Sequence, residues 1–273
     1  MTTTKSNGEI VKGNAPEKSD CFALLKRSEA AIKQALPTHV KPDRFARVAL
    51  TALRGNRDLQ ACDPLSFMAC LLQSAQLGLE PNTTLQHAFL IPRGGQCTLQ
   101  IGYQGMLDLA RRSGMVRSIT AHVVYAADHF VYTLGDDEKI EHVPAMSADP
   151  GEVRYAYAIA TLDDGSKIRR VVTRREIDAA RKMGAGKGPW SSHFDEMARK
   201  TAIRRLYKLL PKSAEMAAAS QIEDADERGI ATTRAITNDV REILEGSAGL
   251  SLPAPTYDVE TGEVVEAPET APA

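Results

Sequence analysis

Residues 86–114 read QHAFLIPRGGQCTLQIGYQGMLDLARRSG, and three textures follow one another in them without a spacer. QHAFLIP and CTLQIGY carry the apolar, β-branched and aromatic residues of two short strands. Arg93, Gly94 and Gly95 stand between them as a tight connection, because glycine adopts the positive φ values that a short hairpin turn needs. QGMLDLARRSG then changes to helical spacing, with Met106, Leu107, Leu109 and Ala110 forming an apolar face and Gly114 a left-handed stop. The unit is strand, strand, helix, and it makes the chain α+β.

On the N-terminal side the pattern is helical. CFALLKRSEAAIKQAL follows Asp20 as a cap, KPDRFARVALTALR has Pro42 near its start, and CDPLSFMACLLQSAQLG opens on Asp63 and Pro64 and closes at Gly78. These segments predict a helical N-terminal lobe of three helices over 20–80, preceded by a polar, disordered arm over 1–19. On the C-terminal side, SITAHVVYA, HFVYTLG and KIEHVP read as strands, and VRYAYAIATL with SKIRRVVT reads as a second hairpin around Asp163, Asp164 and Gly165. Thr173 and Glu176 form a capping box for REIDAARKM. Residues 81–220 are therefore expected to be a β-hairpin and antiparallel-sheet core packed with helices. Residues 221–273 are expected to be an acidic, partly disordered tail with a weak helix at NDVREILEG.

The 273 residues hold 34 Lys and Arg against 35 Asp and Glu, for a net charge of −1 that hides an asymmetry. From Gln221 onward twelve acids face three arginines, so the tail carries −9 and residues 1–220 carry +8. A basic body raises the expectation of a polyanionic partner, and the acidic tail is a candidate internal competitor for the same surface. No apolar run approaches the roughly 20 residues that span a bilayer, and the first residues lack a signal peptide's apolar segment, so a cytoplasmic protein with no membrane partner is expected. Four cysteines at 21, 62, 70 and 97 form no CxxC pair and read as buried free thiols.

WSSHFDEMARKTAIRRLYKLLP, residues 190–211, holds the densest run of cations. Ser192 with Asp195 predicts its helix start, Pro211 its stop, and Phe194, Ala198, Ala202, Leu206, Leu209 and Leu210 its packed side. Lys200, Arg204 and Lys208 recur at i, i+4 and i+8 on another face. Asp195 and Glu196 can pair with Arg199 and Lys200, but Arg204, Arg205 and Lys208 have no carboxylate three or four residues away within the helix. They need an anion or a tertiary partner. Other basic groups stand at Arg93 and at Arg111, Arg112 and Arg117. Tyr103, Trp190 and Tyr207 are candidate stacking faces, with Tyr103 set among Gly102, Gln104 and Gly105, where a backbone can approach closely.

Signs of catalysis are weak. GAGKGPW, residues 184–190, has Arg181 where a P-loop needs its first Gly and Gly188 where it needs Ser or Thr, and it follows no strand. It leaves Lys187 and Trp190 as candidates for contact with a nucleic-acid backbone and base, against the plainer reading of a connector with Trp190 in the core. GxSxG and HExxH are absent from the sequence. Asp136, Asp137, Glu138 and Glu141 are candidate carboxylates for metal-assisted phosphodiester cleavage, though one acidic run is more often a solvated turn. No catalytic residue and no metal ligand is assigned.

SAQLGLEP, HAFLIPR, IGYQGMLDLARRSG and GPWSSHFDEMARKTAIRRLYKLLP, in this order, resemble the RecT family of phage and prophage single-strand annealing recombinases. The similarity runs from about Ala61 to Lys212 and more faintly back to residue 21. The resemblance implies an ATP-independent protein of a bacterial host cell that coats single-stranded DNA exposed by a partner 5′–3′ exonuclease, pairs it with a complementary strand into duplex and promotes strand exchange. It also implies a homo-oligomeric ring or helical filament with DNA in a cationic groove. A host single-strand-binding protein is a further partner; no cofactor is required, and Mg²⁺ would act by screening or by tuning assembly. On this resemblance Lys200, Arg204, Arg205 and Lys208 form a phosphate wall, Arg111 and Arg112 a second cationic element, Tyr103 and Gln104 the contact near the bases, and Arg93 the tip of a hairpin finger. The rival readings are a phage nuclease, or nuclease subunit, using the 136–141 carboxylates, and a passive single-strand-binding protein.

Overall fold

The computed structural model describes residues 21–183 and 189–227. Its N-terminal helices are α1 (Cys21–Arg27), α2 (Glu29–Ala35), α3 (Pro42–Gly55), α4 (Arg57–Gln60) and α5 (Pro64–Gln76). The single helix expected over 21–36 is divided at Ser28, whose buried hydroxyl donates back to the Leu24 carbonyl at 2.8 Å. The expected cap at Asp20 lies outside the described residues. Pro42 and Pro64 do open helices, and the Asp63 carboxylate accepts the Ser66 amide at 2.7 Å as an N-cap. Every residue of α5 from Ser66 to Ala75 is buried, which makes it the central helix of the lobe.

The predicted strand, strand, helix unit is β1 (Ala88–Arg93), β2 (Gln96–Ile101) and α6 (Tyr103–Arg112). Arg93 pairs with Gln96 across Gly94 and Gly95, whose φ values of 55° and 76° suit a two-residue turn matched to strand twist. The Gly95 carbonyl accepts the Asp63 amide at 2.8 Å, so the hairpin tip is tied to the start of α5.

Five further strands follow, β3 (Val116–Tyr125), β4 (His129–Thr133), β5 (Lys139–Val143), β6 (Val153–Leu162) and β7 (Lys167–Thr173). Among the described residues these strands pair antiparallel, in three separate sheets ordered β1-β2, β3-β6-β7 and β4-β5. Then come α7 (Arg174–Met183), α8 (Pro189–Ser192), α9 (Phe194–Tyr207) and α10 (Ala214–Glu227). The Thr173 hydroxyl and the Glu176 carboxylate cap each other's backbone amides at the start of α7, as the spacing predicts. The start predicted at Ser192 is displaced: α9 begins at Phe194, His193 caps it without a side-chain bond, and Asp195 accepts instead from the Tyr125 hydroxyl at 2.5 Å.

Alternation along β6 explains the layering. Ala156, Ala158 and Ala160 are buried on one face, and α9 crosses β6 with Ala198 and Ala202 also fully buried, so small side chains let helix and strand approach closely. Tyr155 and Tyr157 point the other way and stack on Phe130 of β4 at 5.5 and 5.8 Å. Asp128 locks that second layer, accepting from the Tyr125 amide at 2.7 Å, the Ala145 amide at 2.8 Å and the His142 ring at 3.1 Å. Burial raises its pKa, but these amides and the ring outweigh burial and hold the carboxyl below the ordinary value. Its stabilisation is therefore present above the unfolded pKa of about 4 and lost as pH falls through the lower folded value. Asp128→Asn, with one acceptor oxygen left, should lose about 1–3 kcal/mol at pH 7, and urea unfolding at pH 7 and then in acid should show the gap to wild type closing.

One buried apolar cluster runs from Cys21 to Ile222, so lobe and core share a single interior across the expected boundary at 80/81. The boundary expected at 221 falls inside α10, where Met216, Ala219 and Ile222 are buried. All four cysteines are buried free thiols.

Candidate nucleic-acid interface

The cationic row of α9 meets its anions inside the molecule. α10 packs against β2 and carries Glu223, Asp224 and Asp226. Arg204 pairs with Glu223 at 2.7 Å, Lys208 with Asp224 at 2.5 Å and Arg93 with Asp226 at 2.5 Å, while Gln100 donates to Asp226 at 2.8 Å. Glu223, with a side chain only 4% exposed, also accepts the Ile101 amide at 2.7 Å, which satisfies a donor on the outer edge of β2. Burial, then the neighbouring charge of Arg204, pulls the Lys200 pKa down. Of the residues expected in the phosphate wall, Arg204 and Lys208 are engaged by the chain's own carboxylates, as is Arg93 at the hairpin. The physical reason is that like charges stacked along one helix face are brought to low energy by an acidic helix supplied from the next segment.

Arg205 lies away from this network, close enough to Glu176 to help hold that carboxyl below its ordinary pKa; burial opposes the shift, and the Thr173 groups and Arg170 contribute to it. Arg111 is exposed on α6. Arg112 ties α6 to the helical lobe, donating to Leu77 O at 2.7 Å, to Asp108 at 2.8 Å and to the His39 ring at 2.9 Å. Both arginines are exposed, and Arg112 in addition joins two parts of the fold.

The aromatic candidates are mostly interior. Trp190 is 6% exposed and meets Phe194 edge to face at 6.0 Å, and Tyr207 is 1% exposed, so the core reading holds for both and neither offers a ring to a base. Tyr103 is half-buried against the core, and its hydroxyl accepts from Gln104 at 2.9 Å. The glycines beside it serve the chain itself: a Cβ at Gly102 would lie 2.0 Å from Gln86 O, and one at Gly105 would lie 2.2 Å from His87 O. Lys187 lies outside the described residues. Among the 136–141 carboxylates, Asp136 and Asp137 are exposed at the turn between β4 and β5, while Glu138 accepts from the Tyr132 hydroxyl at 2.8 Å and pairs with Arg169 at 3.5 Å.

Residues 43–239 of the chain, which include the hairpin, α6 and the sheets, match a model of the RecT family. The chain belongs to the RecT family. Protein RecT of Escherichia coli (strain K12) is 39% identical over 238 residues, covering 81% of this chain and 88% of that protein. The uncharacterized protein YqaK of Bacillus subtilis (strain 168) is 27% identical over 184 residues, covering 67% of this chain and 62% of that protein. RecT family membership supports a role in DNA recombination by single-strand annealing. The RecT match runs from α3 through the whole of α10, so the carboxylates that pair with the α9 cations lie within the matched region. Among the described residues no helix is long and apolar enough to cross a membrane.

A further basic face, outside the expected site residues, is on α3. Arg44, Arg47 and Arg54 sit on its exposed side, opposite buried Phe45, Ala49, Ala52 and Leu53. The signal was available in KPDRFARVALTALR, where arginines fall on the polar face of an amphipathic helix.

Proposed function

We propose that this protein binds single-stranded DNA without ATP, pairs it with a complementary strand and promotes strand exchange. The observation that carries this reading is the RecT family match, with 39% identity to the Escherichia coli protein over 81% of the chain. The +8 charge of residues 1–220 supports a polyanionic ligand. Two strands repel through their phosphates, and cations along the protein lower that cost while the bases remain free to pair. Base stacking in the new duplex then drives the exchange, so no hydrolytic residue is needed. Exposed Arg111 is a phosphate contact on this reading, and a phosphate reaching Arg204 or Lys208 has to displace a carboxylate of α10. The protein acts as a homo-oligomer in the bacterial cytoplasm, downstream of a 5′–3′ exonuclease and alongside a host single-strand-binding protein. Mg²⁺ enters by screening and by tuning assembly.

Fluorescence quenching between two complementary labelled oligonucleotides, without ATP and in Mg²⁺, tests this, with product lengths read on a denaturing gel. Pairing faster than the uncatalysed rate with strands of unchanged length is the expected result. Slower pairing would make it a passive coating protein, and shortened strands would return the 136–141 carboxylates to consideration.

A further inference from the structure

We propose that the open cleft between α3 and α6, with the exposed face of α3 that runs on from it, is a second nucleic-acid surface, in which Lys41 and Arg47 at the cleft and Arg54 farther along α3 contact phosphates; the identity of the ligand rests on the single-stranded DNA reading above. The cleft is lined in part by His39, Lys41, Arg44, Arg47, His87 and Arg112. Its two carboxylates are already committed. Glu80, itself only 11% exposed, takes Nε and Nη2 of Arg44 at 2.5 and 2.8 Å, and Asp108 takes Nε of Arg112 at 2.8 Å. These pairs orient two guanidinium groups at the cleft wall while leaving Lys41 and Arg47 unneutralised.

The contrast with α9 decides the assignment. There, Arg204 and Lys208 are matched by buried or half-buried carboxylates of α10. On α3, Asp43 stands four residues before Arg47, yet among the described residues Lys41, Arg47 and Arg54 form no ion pair. Arg44, Arg47, Thr51 and Arg54 advance by three, four and three residues, which keeps them on one face. Ten residues of helix carry that row about 15 Å, the rise of about four nucleotides at the 3.4 Å spacing of one strand in a duplex. Leu85, 48% exposed at the cleft, adds an apolar surface that a base can cover. A row of arginines, of which Arg47 and Arg54 are unneutralised, beside an apolar rim fits a phosphodiester strand and reads no sequence.

The test is a triple variant, Lys41→Gln with Arg47→Gln and Arg54→Gln, all exposed positions whose loss leaves no buried charge. Its control removes three positive charges elsewhere, Lys26→Gln, Lys33→Gln and Lys212→Gln. Fluorescence anisotropy with single-stranded and duplex oligonucleotides is followed over a salt series. For single strands the cleft variant should bind at least about tenfold more weakly at low salt, with a slope of log K against log salt shallower by about 2, and the control should stay near wild type. A larger loss on duplex than on single strands would assign the cleft to the paired product. A cleft variant with wild-type affinity and slope for both would overturn the assignment, as would a control that falls equally. A wild-type protein that binds no DNA would overturn the annealing reading itself.

Discussion

Gly105→Ala should destabilise the protein by about 3 kcal/mol or more, a fall of about 6–12 °C in Tm for a chain of this size. The added Cβ would sit 2.2 Å from His87 O and 3.0 Å from the carbon of the same carbonyl. That carbonyl cannot swing aside cheaply, because it accepts the Gly102 amide at 2.9 Å. The segment before it is pinned as well: the Asn82 amide donates to Ala88 O at 2.9 Å, and the Asn82 side chain accepts the Leu90 amide at 2.7 Å. Asn82 and Gln86 both hold positive φ, of 54° and 55°, so this loop is already in an unfavourable conformation to pass over the start of α6. Gly114→Ala is the matched comparison. It has open space around its Cβ position and only the φ of +73° to oppose it, and it should cost about 1 kcal/mol. Equal melting temperatures for the two variants, by calorimetry, would mean that the 86–87 segment yields freely.

Arg204→Glu is the second large effect, expected at about 3–5 kcal/mol, the usual consequence of leaving a buried ion without its partner. The new carboxylate would face Glu223, whose pKa burial already raises more than Arg204, the Ile101 amide and Lys200 lower it. An acid with a raised folded pKa takes up a proton on folding, so the variant's loss of stability should be greatest at neutral pH and shrink as pH falls. Arg204→Met combined with Glu223→Gln should recover most of the loss, since both charges leave together and the glutamine oxygen can still accept the Ile101 amide. Urea unfolding of the single and double variants measures this. The double variant also separates folding from binding: if it anneals DNA like wild type, the α9 row acts through stability, and a loss of annealing in Arg204→Glu alone reports a damaged fold.

Much of the fold was legible because its signals are local. Gly94 and Gly95 declare a turn, Pro42 and Pro64 open helices, Thr173 and Glu176 cap one, and the apolar spacing of 106–110 marks a helix face. Ser28 escaped this reading since its hydroxyl competes for a backbone carbonyl only once it is buried. The division into three sheets was hidden too, because alternation specifies that a segment is a strand without naming its neighbour.

Sequence by itself determined the α+β class, the hairpin-helix unit, the family and the excess of cations in residues 1–220. Tertiary structure alone decided which cations remain available. Arg204 and Glu223 are nineteen positions apart, and Arg93 and Asp226 are separated by 133. Helix spacing can exclude a partner three or four residues away, but electrostatic neutralisation depends on distance in space. The packing of α10 onto β2 and α6 brings the acids to one row of cations, while Lys41 and, on α3, Arg47 and Arg54 form no ion pair because no acidic element among the described residues is folded over them.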